Sequence, residues 1–147
     1  MLFRSFGHHL QSLGGLEQII TQAQEAAPEQ ANLFSVANEL NADCLMGIWV
    51  ARVQEEGRLE EGDEDEILAA LENIGDDKLS TNAGVEADAS TFDHGTSEQR
   101  QVWFEVGKET GDVDACFKVF NDLADGTLEE ELHAGADAAN AGTGTTG

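Results

Sequence analysis

Positive charge is what this chain has least of: seven Lys and Arg stand against thirty Asp and Glu, for a net charge of −23. Such a balance repels phosphate backbones and anionic headgroups, so nucleic acid and membrane surfaces are poor partners. The acidity serves either solubility, as in a salty habitat, or an acidic docking surface. Long apolar runs are missing too. No stretch reaches about 18 consecutive apolar residues, and Met1 to Ser5 is too short for a secretory signal, so this sequence offers neither a membrane segment nor an export signal.

Proline is limited to Pro28 and cysteine to Cys44 and Cys116. The two cysteines are either one disulfide of an exported protein or two buried thiols of a cytosolic one. Leu, Ile, Val and Phe make up about 23% of the residues, only just above the roughly 20% below which high net charge predicts disorder. A single core over part of the 147 residues is therefore expected. Nucleophilic and phosphate chemistry lack their motifs. There is no Gly-x-Ser-x-Gly elbow, neither cysteine has an obvious partner, and Gly14-Gly15 has no following lysine or preceding strand. Calcium is excluded at the acidic run after Gly62. Counted from Asp63, the positions an EF-hand reserves for glycine and glutamate are Leu68 and Ile74.

What is present is helical spacing. Leu2, Phe3, Phe6, Leu10 and Leu13 predict a short amphipathic helix ending at Gly14-Gly15, with His8 and His9 on it. Leu16, Ile19, Ile20 and Ala23 predict a second helix that stops near Pro28. From Glu29 to Glu56 the apolar residues keep helical period and, around Cys44 to Val50, cover nearly every face, as in a helix surrounded by others. Asp63 with Glu66 reads as a capping box before Ile67, Leu68, Leu71 and Ile74, and Thr96 with Gln99 as another, opening a helix to Gly111. Ser80 to Ser90 reads as a loop, Val113 to Leu123 as a last short helix. Residues 124–147 run from acidic to Ala, Gly and Thr-rich, and a disordered tail is expected there. No segment alternates with period two. The expected class is all-α, a long central helix packed by shorter ones.

Adjacent histidines on a helix point about 100° apart, so His8 and His9 cannot easily share one metal. A zinc protease of the HExxH type sets two histidines four apart and uses the glutamate after the first as general base. Four residues before His8 stands Arg4, and the glutamate's position is Ser5. The stronger signal is Glu39 and Asp43, one turn apart in the most core-like helix. Either they form a solvated stripe, or a metal and its ligand histidine neutralise them, with Glu39 on the metal and Asp43 holding a ligand's ring nitrogen. His94 precedes a helix start, and is either a loop residue or a donor near that site.

Four blocks in order carry a resemblance over Phe6 to about Phe120. Gly7-His8-His9-Leu10-Gln11 matches an HEVGHHVQ-like helix, and Glu39 to Gly47 an ELQADCLAG-like one. Gly75-Asp76-Asp77-Lys78-Leu79 matches a GDDRL-like turn, and Phe92 to Arg100 with Trp103-Phe104 an FTHGTSxQRxxWF-like segment. The chain resembles the bacterial neutral zinc metallopeptidases, and residues 1–123 are expected to be the C-terminal part of such a zincin-like domain. The resemblance implies zinc as cofactor, His8 as its second histidine ligand, Glu39 as its third protein ligand, Asp43 as support, and a peptide or protein as substrate. It gives His9 no ligand role. Arg4 and Ser5 leave one ligand and the general base missing, so no catalytic set is intact. A truncated reading frame is the expected cause, because the mismatch is confined to the first residues and the match resumes at once. The family's N-terminal half, often with a membrane anchor, would then be absent. The alternatives are an inactive relative that keeps the fold and a non-catalytic acidic helical module.

Overall fold

A computed structural model describes residues 2–143, with side chains from residue 7 onward. Among the described residues the regular structure is entirely helical: α1 (Leu2–Leu13), α2 (Leu16–Ala26), α3 (Ala31–Glu55), α4 (Asp63–Asn73), α5 (Asp76–Ala83), α6 (Ser97–Thr110), α7 (Val113–Phe117), α8 (Val119–Asp125) and α9 (Thr127–Thr143), with single 3-10 turns at Pro28–Gln30 and Ala89–Thr91.

The punctuation follows backbone chemistry. Gly15 and Gly111 have positive φ, which only glycine adopts without strain, so they mark the α1–α2 turn and the end of α6. Pro28 opens a 3-10 turn before α3, where its missing N–H is of no consequence. At α6 the capping box forms in full: Gln99 N donates to Thr96 Oγ1 and Thr96 N to Gln99 Oε1.

The axis of the fold is α3. Residues Leu40 to Gly47 are all buried, so this stretch has no solvent face. Its Leu33, Val36, Ala37, Leu40 and Cys44 join Phe92, Trp103, Val119, Leu128 and Leu132 in the main core. Met46 and Val50 meet Ile67, Leu71 and Phe104 in a smaller one on the other side. Two crossings are made by backbone alone. A Cβ on Gly107 would strike the carbonyl oxygen of Cys44, and one on Gly47 that of Phe104, so α6 lies directly on α3. A Cβ on Gly7 would come within 2.5 Å of the Ala42 carbonyl oxygen, so α1 lies equally close on the same helix.

Four expectations are corrected. Asp63 does not cap α4: the N-cap is Gly62, and the Asp63 carboxylate accepts from Glu60 N instead. Ser80 to Ala83 belongs to α5, which Asp76 and Asp77 open at the positive end of the helix dipole. Much of the expected tail is α9. Alanine is the best helix former, and small residues permit what bulk would prevent. Leu128, Leu132 and Ala136 recur every fourth residue into the core, and Gly135 lies against the Thr96 methyl. Asn140 brackets the Ala87 backbone with two hydrogen bonds of 2.8 and 2.9 Å. Residues 144–147 of that segment lie outside the described residues. The expected last helix, Val113 to Leu123, is split at Lys118 into α7 and α8.

Cys44 and Cys116, both fully buried, are joined as a disulfide that pins α7 to the middle of α3.

Candidate metal centre

The α1–α3 crossing at Gly7 sets the next residue, His8, beside the turn of α3 that carries Glu39 and Asp43. His8 Nε2 lies 3.3 Å from Glu39 Oε1, with side chains 26% and 13% exposed. The pair therefore sits at an edge that solvent reaches. The other ring nitrogen, Nδ1, lies 2.8 Å from Gln11 Oε1, one turn along α1.

Behind Glu39 lies an arginine buried to 0% exposure, Arg100 of α6. Its Nη2 donates to Asp43 Oδ1 at 2.9 Å and to Glu39 Oε2 at 3.3 Å, while Nη1 reaches the His94 carbonyl oxygen at 3.4 Å. The guanidinium thus engages one oxygen of Glu39 and leaves the other toward His8. Two further buried atoms, Asp43 Oδ2 and Arg100 Nε, have no hydrogen-bond partner among the described residues.

Burial pushes the Asp43 carboxyl up to about 7, against the pull of Arg100 and, more weakly, of His8. The folded chain then keeps a proton that the unfolded chain, with an ordinary value of 3.8, has released. This contribution to stability is complete below pH 3.8 and is lost as pH rises through about 7. Asp43→Asn is expected to flatten that decline. Urea unfolding midpoints across the interval, compared between variant and parent, isolate it from the general relief of acidic repulsion. Parallel curves would refute it.

His8, Glu39 and Asp43 come together. Asp43 accepts from Arg100 through Oδ1, and the His8 ring is held by Gln11. His9 is exposed. His94 reaches the cluster only through its backbone carbonyl. Its ring lies between Asp76 Oδ1 at 3.0 Å and Asp93 Oδ1 at 2.6 Å. The ligand atoms of Asp76, Asp93 and His94 lie within 4.8 Å of one another, but Asp76 Oδ2 already accepts the backbone N–H groups of Asp93, His94 and Gly95. That group is a clamp holding the loop ahead of α6. The side chains of Arg4 and Ser5 lie outside the described residues.

Sequence reasoning missed Arg100, Gln11 and Asn41. Asn41 is fully buried between Glu39 and Asp43, which was the available signal: a polar residue on a core face needs a partner. Gln11 lies three residues beyond His8, on the same helical face.

Two donors of a tetrahedral zinc, each about 2.0–2.1 Å from the ion, sit about 3.3 Å apart. His8 Nε2 and Glu39 Oε1 have that separation. One imidazole and one carboxylate from different helices, each steadied at its far atom by a hydrogen bond, is also the donor chemistry zinc takes.

Among the described residues the fold and this cluster define an all-helical domain in which a histidine and a carboxylate face each other across the α1–α3 crossing. The chain is a member of the family described as "Putative neutral zinc metallopeptidase", which it matches over residues 2–119. It is similar to the uncharacterized protein YpfJ of Escherichia coli K12, 42% identical over 111 residues, covering 75% of this chain and 39% of the relative. It is also similar to the uncharacterized protein Rv2575 of Mycobacterium tuberculosis H37Rv, 35% identical over 121 residues, covering 76% and 40%. The chain thus spans about two-fifths of the length of the curated relatives it matches. No solved structure matches it.

Proposed function

We propose that this chain carries two of the zinc ligands, His8 and Glu39, of a zinc-dependent peptidase, and that as written it hydrolyses little or nothing. The observation that supports this reading is the 3.3 Å approach of His8 Nε2 to Glu39 Oε1 across the α1–α3 crossing. Zinc bound there would supply the Lewis acid that polarises water and a peptide carbonyl. The chain's own residues divide the remaining work. His8 and Glu39 hold the ion. Arg100 occupies Glu39 Oε2 and so turns Oε1 outward. Asp43 Oδ2, buried and without a partner among the described residues, is the acceptor that the ring N–H of a histidine at position 4 would need. Ser5 offers a hydroxyl where the family pattern has a carboxylate, and a hydroxyl is far too weak a base to take a proton from water.

Arg4→His with Ser5→Glu is the direct test. At a zinc concentration 100 times the dissociation constant, this double variant is expected to gain about 2.7 kcal/mol, reversed by chelator and abolished by adding Glu39→Gln. Thermal melts with and without zinc measure it. Absence of zinc uptake would count against the assignment and favour the second reading, which Arg4 and Ser5 themselves support: a non-catalytic relative binding a protein through its acidic surface. That reading predicts stability indifferent to metal and partner binding that weakens as salt rises.

A further inference from the structure

We infer that Gln11 and Asn41 form a hydrogen-bond relay that fixes His8 in the tautomer with its proton on Nδ1, anchored at the backbone carbonyl of Cys116. The inference deepens the zinc reading by naming what orients the ligand, yet its test needs no zinc.

The relay is read from the far end. The Cys116 carbonyl can only accept, so the Asn41 amide must turn Nδ2 toward it, and does so at 2.9 Å. Asn41 Oδ1 then faces α1 and accepts from Gln11 Nε2 at 2.9 Å. The same Gln11 nitrogen donates to a second backbone acceptor, the Asn38 carbonyl oxygen, at 2.7 Å. With its nitrogen committed twice, Gln11 presents Oε1 to His8 Nδ1 at 2.8 Å. An oxygen there can only accept, so Nδ1 carries a proton, and in the neutral ring Nε2 turns its lone pair toward Glu39.

Flipping Gln11 would set oxygen against oxygen at two contacts, and flipping Asn41 would set oxygen against oxygen at Cys116 and nitrogen against nitrogen at Gln11, in a site where Gln11 is 2% exposed and Asn41 0%. Unpaired polar atoms are costly there, so the polarity of two backbone carbonyls is transmitted to an imidazole two side chains away. Neutral histidine in water prefers the opposite tautomer, with the proton on Nε2, which cannot ligate through that nitrogen. In the imidazolium a proton on Nε2 lies between the ring and Glu39; in the neutral ring with Nδ1 protonated, Nε2 and Glu39 Oε1 face each other as two donors for one cation. The relay also explains why two polar residues occupy the α1–α3 contact at all.

The experiment is long-range proton–nitrogen NMR of the chain labelled with nitrogen-15 in histidine, at alkaline pH where histidine is neutral. His8 is expected to show a protonated Nδ1 and a bare Nε2. Gln11→Leu is expected to shift it toward the Nε2–H form. Gln11→Glu, which loses both donor bonds but keeps an acceptor for Nδ1–H, is expected to retain the parent tautomer. If Gln11 merely stabilised the fold, both variants would behave alike. In the Arg4→His, Ser5→Glu background, Gln11→Leu is expected to weaken zinc binding about 10- to 100-fold, and Gln11→Glu to recover most of it. An Nε2–H tautomer in the parent chain overturns the relay whether or not any variant folds. An Nδ1–H tautomer in a double variant that takes up no zinc keeps the relay and overturns the zinc reading alone.

Discussion

Arg100→Met is expected to destabilise the protein by about 3–5 kcal/mol at neutral pH, the usual consequence of removing one partner from a buried ionic cluster. The side chain is 0% exposed and ties α6 to Glu39, Asp43 and the loop carrying His94. Methionine fills most of the space but leaves two carboxylates one turn apart with no cation behind them. Asp43 then loses the group that most opposes its upward shift, so it takes up a proton more readily. The sign of the pH dependence follows: the loss shrinks on the acid side of pH 7, where Asp43 is neutral, and grows on the alkaline side, where an unpaired charge must be buried. Urea unfolding of variant and parent on both sides of neutrality measures this. A variant of parental stability, or a loss that does not change with pH, would remove the cluster from any account of the fold.

Cys44→Ala with Cys116→Ala is expected to cost about 4 kcal/mol, because the bridge closes a long loop, of sequence separation 72, in the unfolded chain. For a domain of this size that corresponds to a fall in Tm of roughly 10 °C. Both sulfurs are buried to 0% exposure, so reductant added to the folded chain is expected to act only as fast as the chain opens. Melts of the double variant and time courses of thiol release test the two statements. Rapid release from the native state, with no change in Tm, would mean that the bridge contributes nothing to stability. Disulfides of this kind persist in oxidising compartments.

The helices most legible in the sequence were those bounded by residues with one conformational use. Gly14-Gly15, Pro28, Gly111 and the Thr96/Gln99 box each mark a terminus by local chemistry alone. Asp63 misled because a capping residue must stand outside the helix, and Gly62, with φ of 98°, made the turn first. Helix α9 misled differently. Its core stripe is only Leu128, Leu132 and Ala136, and its close fit depends on small residues whose value appears only beside Thr96 and Ala87.

The candidate site divides the same way. Glu39 and Asp43 stand out because charged groups on a core helix need a reason, and His8 through the family resemblance; the structure sets His8 and Glu39 3.3 Å apart. Arg100 is 61 residues from Glu39 and 57 from Asp43, so no periodicity connects them. Gln11 and Asn41 are ordinary polar residues until the crossing of α1 on α3 makes each the other's partner.

The glycine contacts on α3 bear on how this site tolerates change. Arg100 and Asp43 are held in register by a joint in which Gly107 meets the Cys44 carbonyl and Gly47 meets that of Phe104, with no side chain between. A joint filled by leucines can be trimmed or refilled, and the helices settle to a new spacing each time. Here nothing in the joint can shrink. Substitutions elsewhere in the core can loosen or tighten the domain while the ruler that spaces the charged cluster keeps its length. The same construction at Gly7 fixes His8 against Glu39, so the two halves of the site are measured from one helix in units of bare backbone.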